Sequence, residues 1–116
     1  MPRITIYHNP RCSKSRQTLE LLRQRGIEPE IIDYLKTPPS ADTLRELLEL
    51  LHMAPMELVR RKESEFGEAG LDRPQISDDE IIEALALYPR LIERPIVVSE
   101  GKAAIGRPPE RVLEIL

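Results

Sequence analysis

The feature that most constrains this chain is a double change of hydrophobic period within its first 34 residues. Arg3 to Tyr7 alternates apolar and polar, with Ile4 and Ile6 on one face, as a half-buried strand does. His8-Asn9-Pro10 breaks that run with a turn signal. From Ser13 to about Arg25 the period becomes helical, with Leu19 and Leu22 apolar and Leu21 nearby, and Gly26 is placed to end the helix. Glu30 to Tyr34 returns to strand character. The opening is therefore β-α-β, a right-handed crossover unit if its strands are parallel.

Thr37-Pro38-Pro39-Ser40 then stops the chain and offers a helix cap. Leu44, Leu47, Leu48 and Leu51 fall at i, i+3, i+4 and i+7, one stripe of a helix. Pro55 is expected to start a short helix reaching about Arg61, and the polar run from Glu63 to Gln75 reads as an irregular excursion. Ser77 and Glu80 form a capping box ahead of a helix from Asp78 to about Leu87, which Pro89 closes. Ile96 to Val98 and Ala103 to Ile105 are expected to form a β-hairpin through Ser99-Glu100-Gly101-Lys102. Pro108-Pro109 leads into a last helix whose apolar residues are Val112, Leu113 and Leu116. This order suits one α/β domain over residues 1–116: a mixed sheet, with a helical insertion at about 40–90 between an N-terminal βαβ and a C-terminal ββα unit.

Composition removes several function classes. A net charge of −3 lacks the basic excess that neutralises phosphates, so no nucleic-acid partner is expected. Only Phe66, Tyr7, Tyr34 and Tyr88 are aromatic, too few for a base-stacking platform. No segment has the apolar length to span a bilayer, and the first residues carry no signal-peptide pattern, so a cytoplasmic protein without a membrane partner is expected. The single cysteine rules out an internal disulfide, a Cys-x-x-Cys pair and a cysteine zinc site. Any thiol redox cycle must borrow its second sulfur from outside.

That cysteine, Cys12, lies where the first strand gives way to the first helix. Free backbone N–H groups and the positive end of the helix dipole there favour an anion, whether a thiolate or an oxyanion. Ser13 and Ser15 add hydroxyls, while His8, Lys14 and Arg16 add positive or protonatable groups. A lone cysteine also suits a small buried apolar site, and spacing alone leaves both readings open. The flanks Pro10, Arg11, Ser13 and Lys14 speak against the buried one. Only three residues separate Cys12 from Arg16, too short a loop for a phosphate-wrapping cysteine phosphatase.

Tyr7-His8-Asn9-Pro10-Arg11-Cys12-Ser13-Lys14-Ser15-Arg16 resembles the active-site segment of the ArsC family of glutaredoxin-linked arsenate reductases. Leu58-Val59-Arg60-Arg61-Lys62, Arg94-Pro95-Ile96-Val97-Val98 and Gly106-Arg107-Pro108 resemble the later segments of that family, in order. The resemblance implies a thioredoxin-like fold and Cys12 as the nucleophile, with His8 beside it helping to keep it ionised. It implies Arg60, Arg94 and Arg107, with Ser15, as the residues that hold arsenate and its thiol adduct. Arginine suits that task because it stays charged and offers a planar fork to a tetrahedral oxyanion. Of the adjacent Arg60 and Arg61, one is expected to face the site. Arg94-Pro95 also resembles the position where a cis proline precedes a strand beside the active cysteine of thioredoxin folds.

By the same resemblance, glutathione is the co-substrate and glutaredoxin the partner that completes the cycle, in a monomer that binds no metal or other cofactor. Arg11 and the Ser13-Lys14 pair depart from the smaller residues of the family pattern and bear on substrate identity. The rival readings are a related protein acting on another substrate and a regulator resembling Spx that contacts RNA polymerase. Against the regulator, positions 9 and 15 are Asn and Ser, so the switch-type second cysteine is missing.

Overall fold

The computed structural model describes residues 3–116. The chain forms two compact units, one made of the residues up to Thr37 with Arg94–Leu116, the other of Pro38–Glu93.

The first unit is built on a four-stranded sheet of order β2-β1-β3-β4. Strand β1, Ile4–His8, pairs in parallel with β2, Glu30–Asp33, so that His8 lies opposite Asp33. On its other side β1 pairs antiparallel with β3, Ile96–Ser99, which pairs antiparallel with β4, Lys102–Ile105. This is the mixed sheet expected from the β-α-β opening and the late hairpin. Alternation places Ile4, Ile6 and His8 on the buried side of β1. Ile4 and Ile6 pack there with Val97, Val112 and the Leu19 and Leu22 faces of helix α1, Ser13–Gln24.

Gly26 closes α1 at φ +75°, where a Cβ would be strained. The N–H of Gly26 bonds the Arg23 carbonyl and that of Ile27 the Leu22 carbonyl, both at 3.0 Å, a Schellman closure that turns the chain towards β2. The hairpin is tighter than expected. Ser99 and Lys102 are themselves paired, leaving a two-residue turn in which Glu100 and Gly101 both have positive φ. The C-terminal segment Pro109–Ile115 is a 3-10 helix rather than an α-helix. Three residues per turn put Pro109, Val112 and Ile115 on one side, so Leu116 leaves the expected stripe and is 46% exposed.

The second unit supplies the helical part of the fold. Helix α2, Ala41–Leu51, starts where Ser40 Oγ accepts the Thr43 N–H at 3.1 Å, and it buries Leu44, Leu47 and Leu48. The short helix expected from Pro55 to about Arg61 is only a 3-10 turn, Pro55–Leu58. Extended pairing takes over beyond it: Val59 bridges Ile92, and the Arg60 N–H donates to the Leu91 carbonyl at 2.7 Å. The presumed irregular run contains a one-turn helix α3, Glu65–Glu68, followed by Gly70 at positive φ and a buried Leu71. Helix α4, Asp78–Leu87, begins with the expected reciprocal Ser77–Glu80 capping box. Among the described residues, no helix is long and apolar enough to cross a membrane.

Candidate active site around Cys12

Cys12 is the N-cap of α1, with extended φ −93° and ψ 125°. Its N–H bonds the Asn9 carbonyl and its carbonyl accepts the Arg16 N–H, each at 3.0 Å. The loop before it is held on both sides. Asn9 Oδ1 accepts the Arg11 N–H at 3.0 Å, and Arg16 Nη1 donates to the Pro10 carbonyl at 3.0 Å. Fully buried Ser15 closes the loop from inside, its Oγ accepting the Asn9 N–H at 3.0 Å. The hydroxyl read from sequence as a substrate contact thus holds the loop that carries the cysteine.

The sulfur is half-buried, and burial alone pushes a thiol up. The backbone N–H of Ser15, the Arg94 guanidinium and the backbone N–H of Lys14 outweigh that effect and bring the Cys12 thiol below its ordinary value. Neither N–H makes a capping bond of full geometry, but both bear on the sulfur and favour the thiolate.

Two arginines from the C-terminal segment complete this environment. Arg107 Nε donates to the Arg94 carbonyl at 2.8 Å, and Arg107 Nη2 lies 3.7 Å from Cys12 Sγ. Both arginines precede a proline through a cis peptide, as the resemblance suggested for Arg94-Pro95. Gly106 lets the segment come close to α1: a Cβ there would overlap Thr18 Oγ1 and stand 3.0 Å from Pro95 Cγ. Thr18 is fixed in turn, its Oγ1 donating to the Lys14 carbonyl at 2.8 Å.

His8 is buried at the end of β1. Burial lowers its pKa against the pull of the Asp33 carboxylate, and Arg23 and Arg16 push in the same direction as burial, so the imidazole is neutral at pH 7. The groups that act most on the Cys12 thiol are Ser15, Arg94 and Lys14. Arg60 belongs to the second unit, where it pairs with Glu93 at 2.9 Å and Glu63 at 3.4 Å. Its neighbour Arg61 is exposed.

One residue of this neighbourhood escaped the sequence reading. Tyr34, just past β2, is 1% exposed, and its hydroxyl has Arg94 and Asn9 for neighbours. The only local signal is its position, immediately after the Asp33 that pairs with His8.

A single lowered thiol at a helix N-terminus, with arginines brought beside it by the hairpin of a mixed sheet, marks a thioredoxin-like protein equipped to meet an oxyanion. The model of the ArsC family matches residues 7–115, and the chain belongs to that family. It is 54% identical to the Escherichia coli K12 protein YfgD, described as uncharacterized, over 97% of this chain and 96% of that one. It is 46% identical to an arsenate reductase of Neisseria meningitidis serogroup A over the full length of both. The solved arsenate reductase of Vibrio cholerae superposes with a TM-score of 0.96 at 50% identity, covering 99% of this chain and 98% of that one.

Proposed function

We propose that this protein is an arsenate reductase in which Cys12 is the attacking nucleophile. The observation that carries the reading is the Cys12 sulfur itself, lowered towards thiolate at the start of α1 with Arg107 Nη2 at 3.7 Å. The arsenate reductases among its relatives, identical to it over their full or nearly full length at about half of all positions, support the same substrate.

The thiolate attacks arsenic and an arsenate oxygen leaves as water, giving a thiol-arsenate adduct. Arg94 and Arg107 hold the oxyanion and offset charge that collects on its oxygens, the role suited to forked, permanently charged donors. Reduction of As(V) to As(III) takes two electrons. With one cysteine in the chain, the second sulfur is external, and glutathione supplies it. The two sulfurs leave as a Cys12–glutathione disulfide while arsenic departs as arsenite. Glutaredoxin then reduces the mixed disulfide and restores the thiolate. Sulfur supplies both electrons, so the cycle asks for no metal or nucleotide. This chemistry belongs in the cytoplasm, where the glutathione pool keeps thiols reduced, and a monomer suffices for it.

By resemblance Arg60 enters as a third substrate arginine, and His8 as the residue beside Cys12 that helps to keep it ionised. Arsenite formation with glutathione and glutaredoxin supplied tests the whole reading: the wild type turns over and Cys12→Ser does not. Normal turnover by Cys12→Ser would sink it. Arg60→Gln is a separate test of Arg60, expected to raise the arsenate KM.

A further inference from the structure

We propose that Tyr34 is a further oxyanion-binding residue, its buried hydroxyl donating a hydrogen bond to an arsenate oxygen beside Cys12 and Arg94. This rests on the arsenate reading above. Three observations carry it.

Tyr34 is 1% exposed, yet its hydroxyl makes no hydrogen bond of full geometry among the described residues, with the Arg94 and Asn9 side chains close enough to act on it but not aligned as partners. Buried hydroxyls in folded proteins are nearly always satisfied, and one left open calls for a missing partner such as a ligand. Topology places this one at the site. β1 and β2 run parallel with His8 opposite Asp33, so Asn9 and Tyr34 leave the same end of the sheet, where the chain turns into the Cys12 loop. In open α/β sheets that end, outside the carboxyl ends of parallel strands, is where ligands bind.

The hydroxyl's neighbours complete the case. Arg94 and Asn9 act on it most among the side chains, and the Cys12 charge is felt there as well. Burial pushes the phenol up despite Arg94, so the group keeps its proton at neutral pH. A phenol is thereby a neutral donor set among cations. It adds a directed hydrogen bond to the oxyanion without a further charge to balance when the site is empty.

The test compares the wild type with Tyr34→Phe, and with Tyr88→Phe as a tyrosine outside the site. One readout is protection of Cys12 from iodoacetamide by arsenate, which needs no turnover. The other is arsenite formation. Tyr34→Phe is expected to shift the protection midpoint and the KM for arsenate upwards about tenfold or more, the usual effect of losing a hydrogen bond to a charged group. kcat is expected to change less than about threefold, with Tm equal or higher and the ligand-free Cys12 titration unmoved. Tyr88→Phe is expected to match the wild type throughout. A midpoint within about twofold of wild type would overturn the assignment. So would a fall in Tm, which would make the hydroxyl a support of the fold, or a moved Cys12 titration, which would make it act through Arg94. A wild type neither protected by arsenate nor forming arsenite would sink the arsenate reading, and this assignment with it.

Discussion

Arg107 touches Cys12 from 95 positions further along the chain: its Nη2 lies 3.7 Å from Sγ while its Nε is tethered to the Arg94 carbonyl at 2.8 Å. The tether matters as much as the contact. Holding Arg107 on the Arg94 backbone makes the two arginines one element, so a shift in either segment disturbs both sides of the sulfur. The β3–β4 hairpin, which joins these arginines, thus positions the cation cluster.

If Arg94 helps to lower the thiol, removing its charge leaves burial to act with less opposition. Arg94→Gln is expected to move the Cys12 titration to higher pH, followed by thiolate ultraviolet absorbance, and to slow alkylation at pH 7. A charge-assisted hydrogen bond is worth about 1.5–3 kcal/mol, so kcat/KM for arsenate should fall roughly ten- to hundredfold. Arg94→Lys should restore more of the titration than of the arsenate KM, because it keeps the charge and loses the fork.

Gly106 is a packing constraint with a functional readout. Gly106→Ala presses a methyl group against Thr18 and Pro95. Overpacking of this kind costs about 1–3 kcal/mol, which in a domain of this size lowers Tm by several degrees. Because the displaced segment is tied through Arg107 Nε to the Arg94 carbonyl, and Arg94 lowers the thiol, the Cys12 titration should rise in the same variant. A stable Gly106→Ala with an unchanged thiol would show that the approach of this segment to α1 does not set the site.

The lowered pKa of His8 predicts the direction of a stability profile. On acidification the unfolded chain takes up the histidine proton first, near its ordinary value of about 6.5, while folded His8 still excludes it. Stability is therefore lost as pH falls below about 6.5, down to the folded value. Urea midpoints between about pH 7.5 and pH 5 should fall, and His8→Gln should flatten that part of the curve. A midpoint that rises on acidification would mean His8 sits as a cation paired with Asp33.

Much of this architecture is written in short-range signals. The Ile4–Ile6 alternation, the Ser77–Glu80 box and the leucine stripe of α2 each need only a few neighbours to act, and each appears as read. Cys12 at the N-cap of α1 belongs with them, since a strand-to-helix junction is local. What was missed depends on geometry that local pattern does not carry. The 3-10 pitch after Pro109 moved Leu116 out of the core, and the pairing of Val59 with Ile92, 33 positions apart, cut short the helix after Pro55. The region around α3 looked irregular because its apolar anchors, Phe66 and Leu71, are sparse and five residues apart, a spacing outside the helical stripe. Tyr34 reads locally as one more strand residue. Its importance comes from the parallel register of β1 and β2, which no single segment encodes.

Inserting residues 38–93 between the two halves of the sheet also sets a schedule for synthesis. The ribosome releases β1, α1 and β2 first, and the other edge of β1 stays bare until β3 emerges. At roughly 5–20 residues per second, the nascent chain spends several seconds with Cys12 made and neither Arg94 nor Arg107 yet in existence. Throughout that interval only the Ser15 and Lys14 N–H groups of α1 are there to lower its thiol. The arrival of the last strands adds the arginines, so an unfinished chain has little with which to capture an oxyanion.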